Sequence, residues 1–108
     1  MNFSDYQQAA AKTAIYPRRY AIEYLSLGLS GETGELCGKI AKVFRDRQGD
    51  FTDETIAAIA AEAGDCLWML SQLATELGLD LGEIAQGNLD KLRDRQARGV
   101  LGGSGDRR

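Results

Sequence analysis

Histidine is absent from this chain of 108 residues, and several other scarcities are nearly as informative. Without imidazole, the commonest general base and metal ligand is unavailable. The two cysteines, Cys37 and Cys66, do not complete a usual structural zinc site by themselves. They also fall short of a disulfide scaffold and fit a reduced, cytoplasmic protein. As nucleophiles they lack a base to activate them, so small core residues is the simpler expectation. Positive charge is in deficit: 13 Lys and Arg against 16 Asp and Glu leave a net charge of −3, which argues against a nucleic-acid binder. No apolar run reaches the length of a membrane span. Met1 to Asp5 is neither basic nor apolar, so no secretory signal is expected there. No stretch alternates like a strand, and the only proline is Pro17. Long helices are therefore permitted, and an all-α antiparallel bundle is the expected fold.

Pro17 sets apart an N-terminal segment of helical composition, Asn2 to Ile15. Tyr20 to Asp46 reads as one long helix, with Ile22, Leu25, Leu29, Leu36, Ile40 and Val43 at helical spacings. Gly28, Gly31, Gly34 and Gly38 interrupt it, each costing about 1 kcal/mol relative to alanine. Either another body approaches closely, or the helix breaks near Gly28–Gly31. After a polar connection, Asp53 to Leu77 forms a second long helix. Its expected seam is Ile56, Ala60, Ala63, Leu67, Leu70, Ala74 and Leu77. Asp80 and Glu83 resemble a capping box that opens a last helix, running to about Arg98. Residues 1–98 thus make one helical domain. Gly99 to Arg108, with four glycines, forms a tail with little to pack; it is either disordered or folded over a bound anion.

Two acidic pairs carry the chemistry. Glu32 and Glu35 lie in the first long helix, Glu62 and Asp65 in the second. A three-residue step puts two side chains on one helix face, roughly 60° apart at about 100° per residue. Glu32 falls in the middle of the apolar stripe, between Leu29 and Leu36, where a leucine belongs. A carboxylate in such a place is protonated, paired or bound to a cation. If the two helices cross antiparallel, four acids converge into an all-oxygen site for a hard ion, Mg²⁺ before others, with Mn²⁺ as a substitute. The plain alternative is a solvated acidic face or an ion-pair network.

Cations accompany the acids. Lys39 follows Glu35 by four residues, and Lys42 by seven. They serve either a helix ion pair or a phosphate held at the metal. Asn88, Lys91 and Arg95 form one line on the last helix, which is either a solvated face or a set of donors to phosphate or base. Tyr16 to Tyr20 is a surface turn or a nucleotide contact. Trp68 and Met69 are read as packing residues.

These motifs resemble the all-α nucleoside triphosphate pyrophosphohydrolases of the MazG-like group. Gly31-Glu32-Thr33-Gly34-Glu35-Leu36 is similar to their E-x-x-E element. Glu62-Ala63-Gly64-Asp65, 26 residues on, is similar to their E-x-x-D element. The likeness continues through Asn88-Leu89-Asp90-Lys91-Leu92 and the closing Arg98 to Asp106. It implies that Glu32, Glu35, Glu62 and Asp65 bind Mg²⁺, and that a nucleoside triphosphate is cut to the monophosphate and pyrophosphate. Glu32 and Glu35 become the catalytic acids, with Glu35 orienting or deprotonating the water. Lys39, Lys42, Asn88, Lys91 and Arg95 become substrate contacts. A four-helix core completed in a homodimer or homotetramer is implied as well. Gly31 and Thr33 flank Glu32 where many relatives carry a further acid, so the number of metal ions stays open. Purine substrates, dGTP or GTP, come first, and dUTP or dCTP second. A non-catalytic helical interaction module is the competing reading.

Overall fold

Three of the four α-helices begin at a residue whose side chain accepts from a free N–H group, and the remaining one continues from a 3₁₀ turn. The computed structural model describes residues 1–108, all helix and connection, with no strand. Helix α1 (Phe3–Ala11) starts from a capping box in which Asn2 and Asp5 exchange side-chain bonds with each other's backbone N–H. Pro17 then leads into a single 3₁₀ turn, Arg18–Tyr20. Helix α2 (Ala21–Arg47) follows directly. It stops where Gln48 and Gly49 take left-handed angles, φ 55° and 83°. Phe44 and Phe51 meet edge to face at 5.8 Å across this turn. Thr52 caps α3 (Asp53–Glu76), and Asp80 caps α4 (Leu81–Ala97).

Helix α2 shows no break. Of its glycines, only Gly28 has a packing reason: a Cβ there would sit 2.7 Å from Met69 Cε. Gly31, Gly34 and Gly38 have nothing within 4 Å of an added Cβ.

The register of the α2–α3 pair follows from three contacts: Gly28 with Met69, Thr33 with Cys66, and Lys39 with Glu62. As one number rises the other falls, so the helices run antiparallel. Helix α1 lies across α3 on another side, tied by Gln7 to Thr75 (3.1 Å) and by Trp68 to Thr13 (2.8 Å). Helix α4 is anchored to α1. Ser4 donates to Asp80 at 2.9 Å, and the Leu81 N–H donates to Gln7 at 2.8 Å.

The expected α3 seam is not the face that meets α2. Ile56, Ala60, Ala63, Leu70 and Leu77 are exposed, while Leu67 is half-buried and Ala74 buried as expected. Met69, Gln72 and half-buried Glu62 and Leu73 join Ala74 on the inner surfaces. Alanine and leucine surround α3 on most sides, so periodicity alone does not select which side docks. Cys37 is exposed, contrary to the core position expected for it, while Cys66 is half-buried. Only 10 of 108 residues are buried, and the radius of gyration is 16.9 Å. A compact chain of about 100 residues has roughly 13 Å. The protomer is therefore open, with leucines and isoleucines left on its faces.

The tail packs on α4. Arg108 donates to the carbonyls of Val100, Leu101 and Gly105, at 3.3, 3.3 and 2.6 Å. Gly103 and Gly105, both at φ 87°, bend the chain so that these carbonyls face inward. Arginine donors and permissive glycines thus supply the packing that the apolar content lacks.

Candidate metal and nucleotide site

Antiparallel packing places Glu32 and Glu35 of α2 opposite Glu62 of α3. One carboxylate oxygen from each lies within 4.8 Å of the others. Glu32 and Glu62 are half-buried and Glu35 is exposed at the rim. Glu32 Oε2 and Glu62 Oε2 are buried and have no hydrogen-bond partner. A buried oxygen without a donor is costly, and like charges beside it add to the cost. Both groups respond as expected. Burial, followed by the charges of Glu35, Asp65 and Glu62, pushes the Glu32 carboxyl above its usual range. Burial, then Glu35, pushes Glu62 up as well, while Lys39 opposes the change. The site is thus short of positive charge, and an oxygen-seeking divalent ion fits the donor set.

Asp65 stands outside this tight group. It is exposed, yet its charge reaches Glu32 and Glu62, and also Tyr6 on α1. Lys39 pairs across the helices with Glu62, at 4.0 Å, and not with Glu35. Lys39, Lys42 and Gly38 join Glu35 and Glu62 to line a cleft of about 260 Å³.

The α4 residues lie elsewhere in the protomer. Asn88 is exposed, and α4 packs on α1 instead of α2. Arg95 is buried, not part of a solvated face. It lies 3.5 Å from Asp106, and Lys91 lies 3.7 Å from the same oxygen. The chain therefore clusters three of the acids, lines the adjoining cleft with two of them and two lysines, and leaves Asn88, Lys91 and Arg95 on α4.

The Tyr16–Tyr20 segment is held in place by its own contacts. Tyr16 donates to Glu76 at 2.6 Å and accepts from Gln72 at 3.0 Å, while Arg18 pairs with Glu76 at 3.0 Å. Tyr16 also stacks on Tyr24 and meets the edge of Trp68, with centroids 5.5 and 6.2 Å apart. Arg47 was missed by sequence reasoning. It lines a second cavity next to the cleft, but in the sequence it sits among the polar residues of a connection.

An all-helical chain with a carboxylate cluster between two antiparallel helices is a setting for an oxygen-ligated divalent ion, and comparison with known sequences gives the family. Residues 21–100 match the MazG nucleotide pyrophosphohydrolase domain, and the chain belongs to that family. Among curated proteins it is similar to the Gene 37 protein of Mycobacterium phage L5, with 42% identity over 114 residues, covering 100% of both chains. No solved structure matches it. No helix is long and apolar enough to cross a membrane.

Proposed function

We propose that this protein hydrolyses a nucleoside triphosphate to the monophosphate and pyrophosphate, with Mg²⁺ held by Glu32, Glu35 and Glu62 and assisted by Asp65. The observation that carries this reading is the pair of orphaned buried oxygens on Glu32 and Glu62, within a group of three acids 4.8 Å across. Membership of a nucleotide pyrophosphohydrolase family supplies the substrate class. When bound, the ion would neutralise the acids, gather phosphate oxygens and acidify a water.

The chain's own residues do the rest. Glu35 is exposed at the rim, so its carboxylate is free to accept the proton of the attacking water. The water oxygen bonds to phosphorus and the α–β anhydride bond breaks. Pyrophosphate leaves with the electron pair of that bond. Lys39 and Lys42, on the cleft wall, offset the charge that builds on the phosphate oxygens. Lys91 and Arg95 contribute from α4 once Asp106 is displaced or a second protomer brings them near. The exposed apolar faces and the large radius of gyration support a homodimer or homotetramer in which helices of neighbouring protomers complete a four-helix core. Among bases, dGTP and GTP are preferred here, with dUTP and dCTP next.

The test is a panel of ribo- and deoxyribonucleoside triphosphates assayed for pyrophosphate release with Mg²⁺, with Mn²⁺ and with chelator. Metal-dependent release from at least one nucleotide is expected. A well-folded protein that turns over none would be a non-catalytic helical module instead.

A further inference from the structure

A second cavity opens immediately beyond the lysines of the acidic cleft. It holds about 130 Å³ and shares Lys39 and Lys42 with the cleft, so the two spaces are neighbours along one groove between α2 and α3. That is roomy enough for several waters or for one compact polyatomic anion. Its remaining charged walls are Arg47 and Asp46, with Thr55 opposite on α3. Asp46 is already compensated. Arg45 grips both of its carboxylate oxygens at 2.8 Å, and this bond holds the Asp46 carboxyl below its usual range. Lys42 and Arg47 make no ion pair with any carboxylate of the chain. Asp46 also feels the charges of Lys42 and Arg47, so the cavity sets Lys42, Arg47 and the shared Lys39 against one acid that Arg45 already holds. Thr55 donates its own hydroxyl proton to the Thr52 carbonyl at 2.9 Å, so the cations must supply the donors. The helix ends add no net field here: the first turn of α3 carries Asp53 and Glu54, and the negative end of α2 lies on the same side.

We propose that this cavity binds the terminal phosphate of a polyphosphate chain, with Arg47 as the residue that distinguishes three phosphates from two. The proposal rests on the reading of the acidic cleft as the seat of the inner phosphates. The spacing suits it. Seven residues separate Thr55 from Glu62 along α3, roughly 10 Å at about 1.5 Å per residue, and the long side chains of Lys42 and Arg47 shorten that gap. The groove thus has a direction. Inner phosphates lie at the acids, the outer phosphate lies toward the α2–α3 turn, and the nucleoside lies toward the opposite end. Arg47 has good reason to stand at a helix C-terminus for dipole reasons alone. A role confined to the dipole would not depend on how many phosphates a ligand carries.

The experiment is calorimetric titration of the full-length protein with inorganic tripolyphosphate and with pyrophosphate, in the presence of Mg²⁺ so that the acids of the cleft do not repel the anion. Wild type is expected to bind tripolyphosphate more tightly than pyrophosphate. Arg47→Ala should weaken tripolyphosphate at least about tenfold, the scale of a lost charged hydrogen bond, and leave pyrophosphate within about twofold. Arg47→Lys should recover part of the loss, since it returns the charge without the fork. Arg47 is exposed, so the variant should fold, and an unchanged melting temperature checks that. Equal binding of tripolyphosphate by wild type and Arg47→Ala overturns the proposal, as does an equal loss for both anions. Arg47-dependent binding in a protein that hydrolyses no nucleotide leaves this site standing and removes only the proposed reaction.

Discussion

Glu32→Gln separates what the acid costs from what it does. In the metal-free protein, Glu32 places a charge beside Glu35, Asp65 and Glu62, with one oxygen lacking any donor. Its pKa is raised on folding, so the native state binds its proton more readily than the unfolded chain does. The sign follows by linkage: metal-free stability should rise as pH falls from neutral toward the ordinary glutamate value of 4.5. An amide removes the charge at almost the same volume. The variant should therefore melt at or above the wild-type temperature at pH 7 without metal. Magnesium should reverse the order. At a concentration 100 times its dissociation constant, a ligand specific to the native state stabilises by about 2.7 kcal/mol. For a domain of this size that is a rise of roughly 10 °C, at about 4 °C per kcal/mol. Wild type should show this rise and Glu32→Gln should lose most of it. Turnover in the variant should fall at least about a hundredfold, the upper end of what outer-shell losses cost. Thermal melts with and without Mg²⁺ read all of this except the rate. A variant that melts lower than wild type without metal, or that keeps the full magnesium shift, would refute the reasoning.

Two further outcomes follow from the helix ends. Thr52→Ala removes the side-chain acceptor for the Thr55 N–H at 3.2 Å, so α3 should lose about 1 kcal/mol and the melting temperature about 4 °C, measured by circular dichroism. Asp80 accepts from the Glu83 N–H at 3.0 Å and from the Ser4 hydroxyl, and these bonds hold its carboxyl below 3.8. That stabilisation is complete above the unfolded value and is lost as pH falls through the depressed one. The gap in melting temperature between wild type and Asp80→Asn should be constant at neutral pH and should shrink only below 3.8; a gap that closes near neutrality would contradict this origin.

Much of the helical layout was legible in the sequence because the caps are local. Pro17, which sets α1 apart, and Asp80, which opens α4, act within a few residues of themselves, whereas the Thr52 cap and the Gln48–Gly49 stop emerged only from the structure. The position of Glu32 between Leu29 and Leu36 was legible for the same reason: one helix face is enough to show an acid in an apolar stripe. What a single helix does not encode is its partner. Helix α3 carries small and apolar residues on several sides, and the docked face is decided by Met69 fitting the gap at Gly28, a fact of two helices at once. Asp65 shows the same limit, since its distance from the other acids depends on the crossing and not on its spacing from Glu62. Arg95 reads as a surface residue until Asp106 is known to fold back onto it, and Arg47 reads as a connection until a cavity forms beside it.

The Gly28–Met69 contact has a consequence for how this sequence can change over time. The methionine sulfur would lie 2.9 Å from a Cβ at position 28. An alanine there would gain helix propensity, about 1 kcal/mol, and the flexible end of Met69 would have to swing aside to admit it. A smaller residue at 69 alone would leave a void. The two changes compete for one space, so positions 28 and 69 should vary together in descendants of this chain, with non-additive effects when exchanged one at a time.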